Sequence, residues 1–238
     1  MKKLFTIISL LLFCSLTATF AQTEKPKATS IEELPLVPSE FFWFYGIVPV
    51  DSWVVHNFVL SNNHADTVTI LKLIPGCDCT HLPSPPIVIP PGQKRLLKVQ
   101  FDSRTYSGEI NRDVHIVTDY APHQEMDLYF ASYIGVSLKS VAITPASLLF
   151  IPGKTDLTVE IKNTVEETTH FRLYIDNDSL VNVSKTEFTL KGGEKEDIVV
   201  SPKFDRLPSG SVYNSCLVLE AIRKESRRAT IPIKINNF

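Results

Sequence analysis

From Phe41 onward the chain alternates. Leu97, Val99 and Phe101 take turns with Lys98 and Gln100. Val114, Ile116 and Thr118 fall on one line, and Met126, Leu128 and Phe130 on another. A side-chain period of two marks a strand with one face in a core and the other in water. His56, Phe58 and Leu60 share a face of the Trp53–Ser61 segment. The denser Val68–Leu73 run reads as a strand covered on both faces. Turn residues separate these segments at Asn62-Asn63-His64, Pro90-Pro91-Gly92 and Ser107-Gly108. About seven short strands with a turn roughly every 8–12 residues predict an immunoglobulin-like sandwich, here over residues 39–136.

The pattern then restarts. Ser147–Ile151 is a first strand turned by Gly153. Leu157, Val159 and Ile161 alternate toward Asn163, and Phe171, Leu173 and Ile175 alternate again. Glu187–Leu190 runs into Lys191-Gly192-Gly193, and Ile198 and Val200 precede Ser201-Pro202. Val212–Ile222 and Ala229–Ile235 form a closing hairpin. The halves echo each other. Phe58-Val59-Leu60-Ser61-Asn62 matches Val159-Glu160-Ile161-Lys162-Asn163, and Pro90-Pro91-Gly92-Gln93 matches Lys191-Gly192-Gly193-Glu194. The expected fold is all-β, two immunoglobulin-like sandwiches in tandem, the second over residues 137–238.

The start has another character. Lys2 and Lys3 precede an apolar Leu4–Phe13 stretch too short for a membrane span, and Thr19-Phe20-Ala21 offers a cleavage site. Residues 1–21 therefore read as a cleaved signal peptide and residues 22–38 as a flexible polar leader. Cys14 offers a lipid-attachment alternative, against which bulky Phe13 stands. No later stretch stays apolar for about 18 residues, so no transmembrane segment is expected after cleavage. Past residue 21 the chain carries 22 basic and 26 acidic side chains, a net charge of −4. Nucleic acid, which asks for a basic surface, is not an expected partner. The dense basic run Arg223-Lys224-Glu225-Ser226-Arg227-Arg228 reads as a charged hairpin tip.

Candidate chemistry is confined to Gly76-Cys77-Asp78-Cys79-Thr80, in a loop between strands. Three readings stand side by side. Cys77 and Cys79 form a structural disulfide in an oxidising compartment; or they form a labile, redox-active one; or their thiolates bind Cu(I) or Zn²⁺, with His81 on the same side of an extended loop as a third ligand and no evident fourth. Cys216, in an apolar run, reads as a buried small hydrophobe. The six histidines form no motif, and no nucleophile elbow, zinc-protease motif or phosphate-cradling loop is present. No enzyme activity and no cofactor are expected. Alternation buries only half of the Phe41-Phe42-Trp43-Phe44-Tyr45 cluster in one core, which leaves the rest for the second domain or a partner.

Phe44-Tyr45-Gly46-Ile47-Val48, His56-Asn57-Phe58-Val59-Leu60-Ser61-Asn62, the Cys77–Thr80 loop, Ile89-Pro90-Pro91-Gly92 and Phe101-Asp102 follow one another as in a known family. Over residues 41–119 the chain resembles the domain of unknown function 1573 family, whose signature includes an aromatic-x-Gly start and a Cys-Gly-Cys-Thr loop. Asp78 stands where that family usually has glycine. The resemblance implies a sandwich of the major-sperm-protein and pilus-chaperone layout and export to the periplasm or cell surface, as in Gram-negative Bacteroidota. It implies no reaction. The expected role is a non-enzymatic module for protein–protein interaction or cell-envelope assembly, its partner an unknown envelope or surface protein. The alternative is a periplasmic thiol-redox or copper-binding protein built on Cys77 and Cys79.

Overall fold

Alternating apolar residues need a second layer to bury them, and the chain supplies that layer twice. The computed structural model describes residues 30, 33–175, 180–223 and 227–238. The signal-peptide assignment, most of the leader and the middle of the basic hairpin tip lie outside these residues.

The strands are β1 (Val37–Pro38), β2 (Phe42–Val48), β3 (Trp53–Ser61), β4 (Val68–Pro75), β5 (Thr80–His81), β6 (Ile87–Ile89), β7 (Lys94–Asp102), β8 (Gly108–Thr118) and β9 (Glu125–Ile134). The later half holds β10 (Val141–Thr144), β11 (Leu148–Phe150), β12 (Leu157–Asn163), β13 (Thr169–Ile175), β14 (Val181–Val183), β15 (Glu187–Leu190), β16 (Lys195–Pro202), β17 (Ser211–Ile222) and β18 (Arg227–Asn237). One short 3-10 turn, Phe204–Arg206, precedes β17.

Two four-stranded sheets, β1-β3-β7-β5 and β10-β12-β16-β14, cover one ten-stranded sheet ordered β15-β13-β17-β18-β2-β9-β8-β4-β6, with β11 beside β18. The first core contains Tyr45, Phe58, Phe101, Ile116, Leu128 and Phe130, and the second Phe150, Ile161, Phe171, Leu217 and Ile233. The two sandwiches are thus fused through a shared sheet, joined where Ala229 of β18 pairs in parallel with Ile47 of β2.

Register shows which face each core occupies. Ile47 pairs with Tyr133 on the side away from the first core, while Ala229 lies in line with Ile231 and Ile233 of the second core. Period two then places the two cores on opposite faces of the shared sheet.

The sequence repeat is also a hydrogen-bond repeat. The Asn62 amide donates to the carbonyls of Asp66 (2.9 Å) and Ile89 (2.8 Å). The Asn163 amide donates to those of Glu167 (2.7 Å) and Leu190 (3.0 Å). Both asparagines are fully buried. β4 departs from its expected two-sided burial: a register shift between Ile70 and Lys72 turns Leu71 and Ile74 outward, and both are exposed. A bulge inverts the inside–outside assignment of every residue beyond it, so the Leu/Ile run is covered on one side only.

Candidate functional site

The cysteine loop lies at a rim. β4 belongs to the shared sheet and β5 to a covering sheet, so residues 76–79 cross between layers. A Cβ on Gly76 would run into the Asp113 side chain, and the Gly76 amide donates to the Asp113 carbonyl at 3.0 Å. The Asp102 amide donates to the Cys79 carbonyl at 2.9 Å, and the Thr80 amide to that of Cys77 at 3.1 Å. Cys77 and Cys79 are joined in a disulfide, with Thr80 Oγ1 3.3 Å from Cys77 Sγ. Cys79 is buried in the first core and Cys77 half-buried against it. Sulfurs bonded to each other are not thiolates, the form a soft metal requires. His81 is exposed, its ring tilted 4.8 Å from that of Trp53. The Arg104 guanidinium lies 5.7 Å from the same indole and bonds Asp102 at 2.7 Å. Among the described residues no group of three or more His, Cys, Asp or Glu side chains is placed to hold a metal.

A second constellation fills the joint between the sandwiches, and sequence reasoning did not assemble it. Gly46 has φ +73°, and a Cβ there would strike the Arg228 backbone, so glycine lets β2 and β18 approach. Trp43 stacks on His56 at 3.9 Å and meets Tyr174 edge-on at 6.5 Å. The Arg228 guanidinium stands 5.2 Å from both the Trp43 and the Tyr174 rings. Glu220 accepts from Arg228 Nε at 3.1 Å and from the Tyr174 hydroxyl at 2.5 Å. His56 Nε2 lies 2.9 Å from Glu40 Oε1, and this hydrogen bond holds the Glu40 carboxyl below its ordinary range. The Cys216 thiol donates to the Val55 carbonyl at 2.9 Å, and Thr230 Oγ1 to that of Tyr45 at 2.6 Å. A small cavity of about 160 Å³ remains between Glu40, His56, Tyr174 and Cys216. These side chains come from distant strands, so no periodicity signals their meeting. The aromatic run Phe41–Tyr45 is divided accordingly: Tyr45 enters the first core, Trp43 enters the joint, and Phe41 and Phe42 are exposed.

The third place is the face of the shared sheet opposite the first core. Across β2, β9 and β8 its rows read Ile47–Tyr133–Glu109, Phe44–Ala131–Asn111 and Phe42–Tyr129–Asp113, and His115 then pairs with Asp127. Phe42, Tyr129 and Tyr133 are 50%, 43% and 41% exposed. Phe44 meets Tyr133 edge-on at 6.0 Å. His115 Nδ1 lies 2.7 Å from Asp127 Oδ1, with Glu125 at 3.9 Å from Nε2. Partial burial of its hydroxyl, with Asp127 and Asp113 beside it, pushes the Tyr129 pKa up. Near the joint the face runs into two clefts of about 890 and 390 Å³ that share Ile47, Val136, Ser137 and Leu138. Lys139, Arg223 and Arg227 line the larger one.

No helix of the described residues is long and apolar enough to cross a membrane. No curated protein matches the chain. Solved structures similar to it include the periplasmic chaperone SfaE, at 11% identity over 40% of this chain and 57% of that one, TM-score 0.38. The CsuC–CsuE chaperone–tip adhesion subunit complex of Acinetobacter baumannii is similar at 16% identity over 41% and 56%, TM-score 0.37. A protein of unknown function from Porphyromonas gingivalis W83 is similar at 11% identity over 85% and 99%, TM-score 0.37. The match spans little more than half of the first two solved chains. Residues 43–134, from Trp43 in β2 to the end of β9, match the model of the family described as Protein of unknown function (DUF1573), so the resemblance drawn from the Phe44–Asp102 motifs holds over the first sandwich.

Proposed function

We propose that the chain is an exported, non-enzymatic module that binds another protein of the cell envelope through the open face of its first sandwich. The observation that carries this reading is the aromatic strip of Phe42, Phe44, Tyr129 and Tyr133, left outside both cores on a sheet whose opposite side is fully packed. A monomer rarely exposes several neighbouring aromatic rings without a partner for them. The shared sheet supports it, because a fixed joint presents the strip in one orientation. Photo-crosslinking in the producing cell tests the reading. Benzoylphenylalanine at Tyr133 should give a discrete adduct with one envelope protein, and the same probe at Lys154, an exposed turn position of the second sandwich, should not. Equal adducts at both positions, or none at Tyr133, would overturn it.

A second reading, thiol exchange or copper binding at Cys77 and Cys79, is favoured by the half-exposure of Cys77. Exposed disulfides are the ones that exchange. Its test is the oxidation state of the loop in purified protein equilibrated with glutathione buffers or with Cu(I). A disulfide that persists throughout, with no copper retained, removes this reading.

A further inference from the structure

Among the described residues three arginines lie on aromatic rings, and for two of them a carboxylate completes the group. Arg228 lies over Trp43 and Tyr174 and is held by Glu220; Arg104 lies over Trp53 and is held by Asp102. Arg112 covers Tyr106. The physics is general: ring faces are negative, the alkyl stem of an arginine or lysine lies along the ring, and a carboxylate takes the charged head.

The open face of β2, β9 and β8 repeats the ring and carboxylate parts without the cation. Tyr129 is flanked by Asp113 in the neighbouring strand and by Asp127 along its own, and Tyr133 has Glu109 beside it. Glu125 and Asp127 close the end of the strip around His115. β2, β9 and β8 place no arginine or lysine on this side, since Arg112 alternates to the other side, where it meets Tyr106; Lys72 of the adjacent β4 is on the same side, paired with Val117 at the edge of the strip. The basic side chains Lys139, Arg223 and Arg227 gather at the Tyr133 end, in the cleft by the joint that Tyr133 also lines, so the carboxylates dominate at the Tyr129 end. The strip is therefore aromatic along its length and acidic along its far rim.

We propose that this face takes an extended protein segment bearing several arginines or lysines, each laid on a ring of Phe42, Tyr129 or Tyr133 with its charged head at Asp113, Asp127 or Glu109. The proposal rests on the reading of the chain as a protein-binding module and names the chemistry of the partner. A neutral glycan, which also stacks on aromatic rings, would not need the carboxylates.

The test is fluorescence anisotropy with the protein from Gln22 onward. The probes are a labelled peptide of alternating arginine and glycine, the same peptide with citrulline for arginine, and labelled cellohexaose. The arginine peptide should bind, and the citrulline peptide about tenfold or more weaker. Binding should fall roughly tenfold as salt rises from about 0.05 to 0.5 M, because the charges are only partly buried. Asp113→Asn with Asp127→Asn, and separately Tyr129→Ser, should each cost about tenfold. Tyr129→Phe, which keeps the ring, and Leu149→Ser, on the second sandwich, should cost little. Unchanged melting temperatures separate lost binding from lost folding. Equal binding of the arginine and citrulline peptides, binding of cellohexaose alone, no binding of any probe, or unchanged affinity in the double aspartate variant would each overturn the proposal. If the crosslink at Tyr133 survives such a result, the chain binds a protein of different chemistry and the module reading stands.

Discussion

The paired asparagines show what one residue does in this fold. Asn62 and Asn163 each end a strand and bind two carbonyls from a single amide, one buried (Ile89 or Leu190) and one on an exposed residue (Asp66 or Glu167). Asn62→Ala would take the donor from the buried Ile89 carbonyl, and an unsatisfied buried polar group costs about 1–3 kcal/mol. Urea denaturation should therefore show a loss of about 1–3 kcal/mol, and Asn163→Ala a similar one. Both asparagines were legible as repeat markers, because the same short motif recurs around them. Glu40 was not, since its partner His56 sits on another strand. The Glu40 carboxyl lies below its ordinary value of 4.5 because His56 bonds its charged form. A depressed carboxyl stabilises the fold above its unfolded pKa and gives that contribution up as pH falls through the lower folded value. Wild type should exceed Glu40→Gln in stability near neutral pH, and the gap should close below about pH 4.5, read as urea midpoints across that range. Cys216 belongs to the same joint. Its buried thiol should resist alkylation in the native protein and react once the fold is opened by denaturant.

At the scale of elements, the alternating strands were readable because water on one side and core on the other impose a period of two. Where a strand bulges, as β4 does after Ile70, that logic inverts locally and the sequence gives no warning. The cysteine loop was legible as a loop between strands but not as a choice among disulfide, redox pair and metal site, since all three ask for the same two cysteines. With the disulfide formed, the ring it closes is small, and so is its entropic effect. Cys77→Ser with Cys79→Ser should lower stability by about 1–2 kcal/mol, the low end for a cross-link, measured by thermal melting. Gly46 is the more critical position. Gly46→Ala combines an unfavourable backbone region with a collision against the Arg228 backbone. We expect a loss of more than about 2 kcal/mol. Arg228 should also leave Trp43 and Tyr174, seen as a change in near-ultraviolet circular dichroism.

For the whole molecule, two sandwiches in tandem were evident from the repeat, but their fusion was not. Nothing in the alternation of β2 or β18 says that each will be the other's neighbour, since an edge strand and a central strand carry the same pattern. What decides it is a glycine with left-handed backbone and a tryptophan that packs on the first core and also meets Tyr174 and Arg228 of the second half. The fused sheet gives the fold an order in time. Thr230 bonds Tyr45 across 185 positions of sequence. A nascent first sandwich therefore emerges with one flank of β2 raw, its amides and carbonyls open to any passing strand, until the residues of β18 arrive to seal it. During synthesis that flank is where a chaperone would have to stand guard and where aggregation would begin.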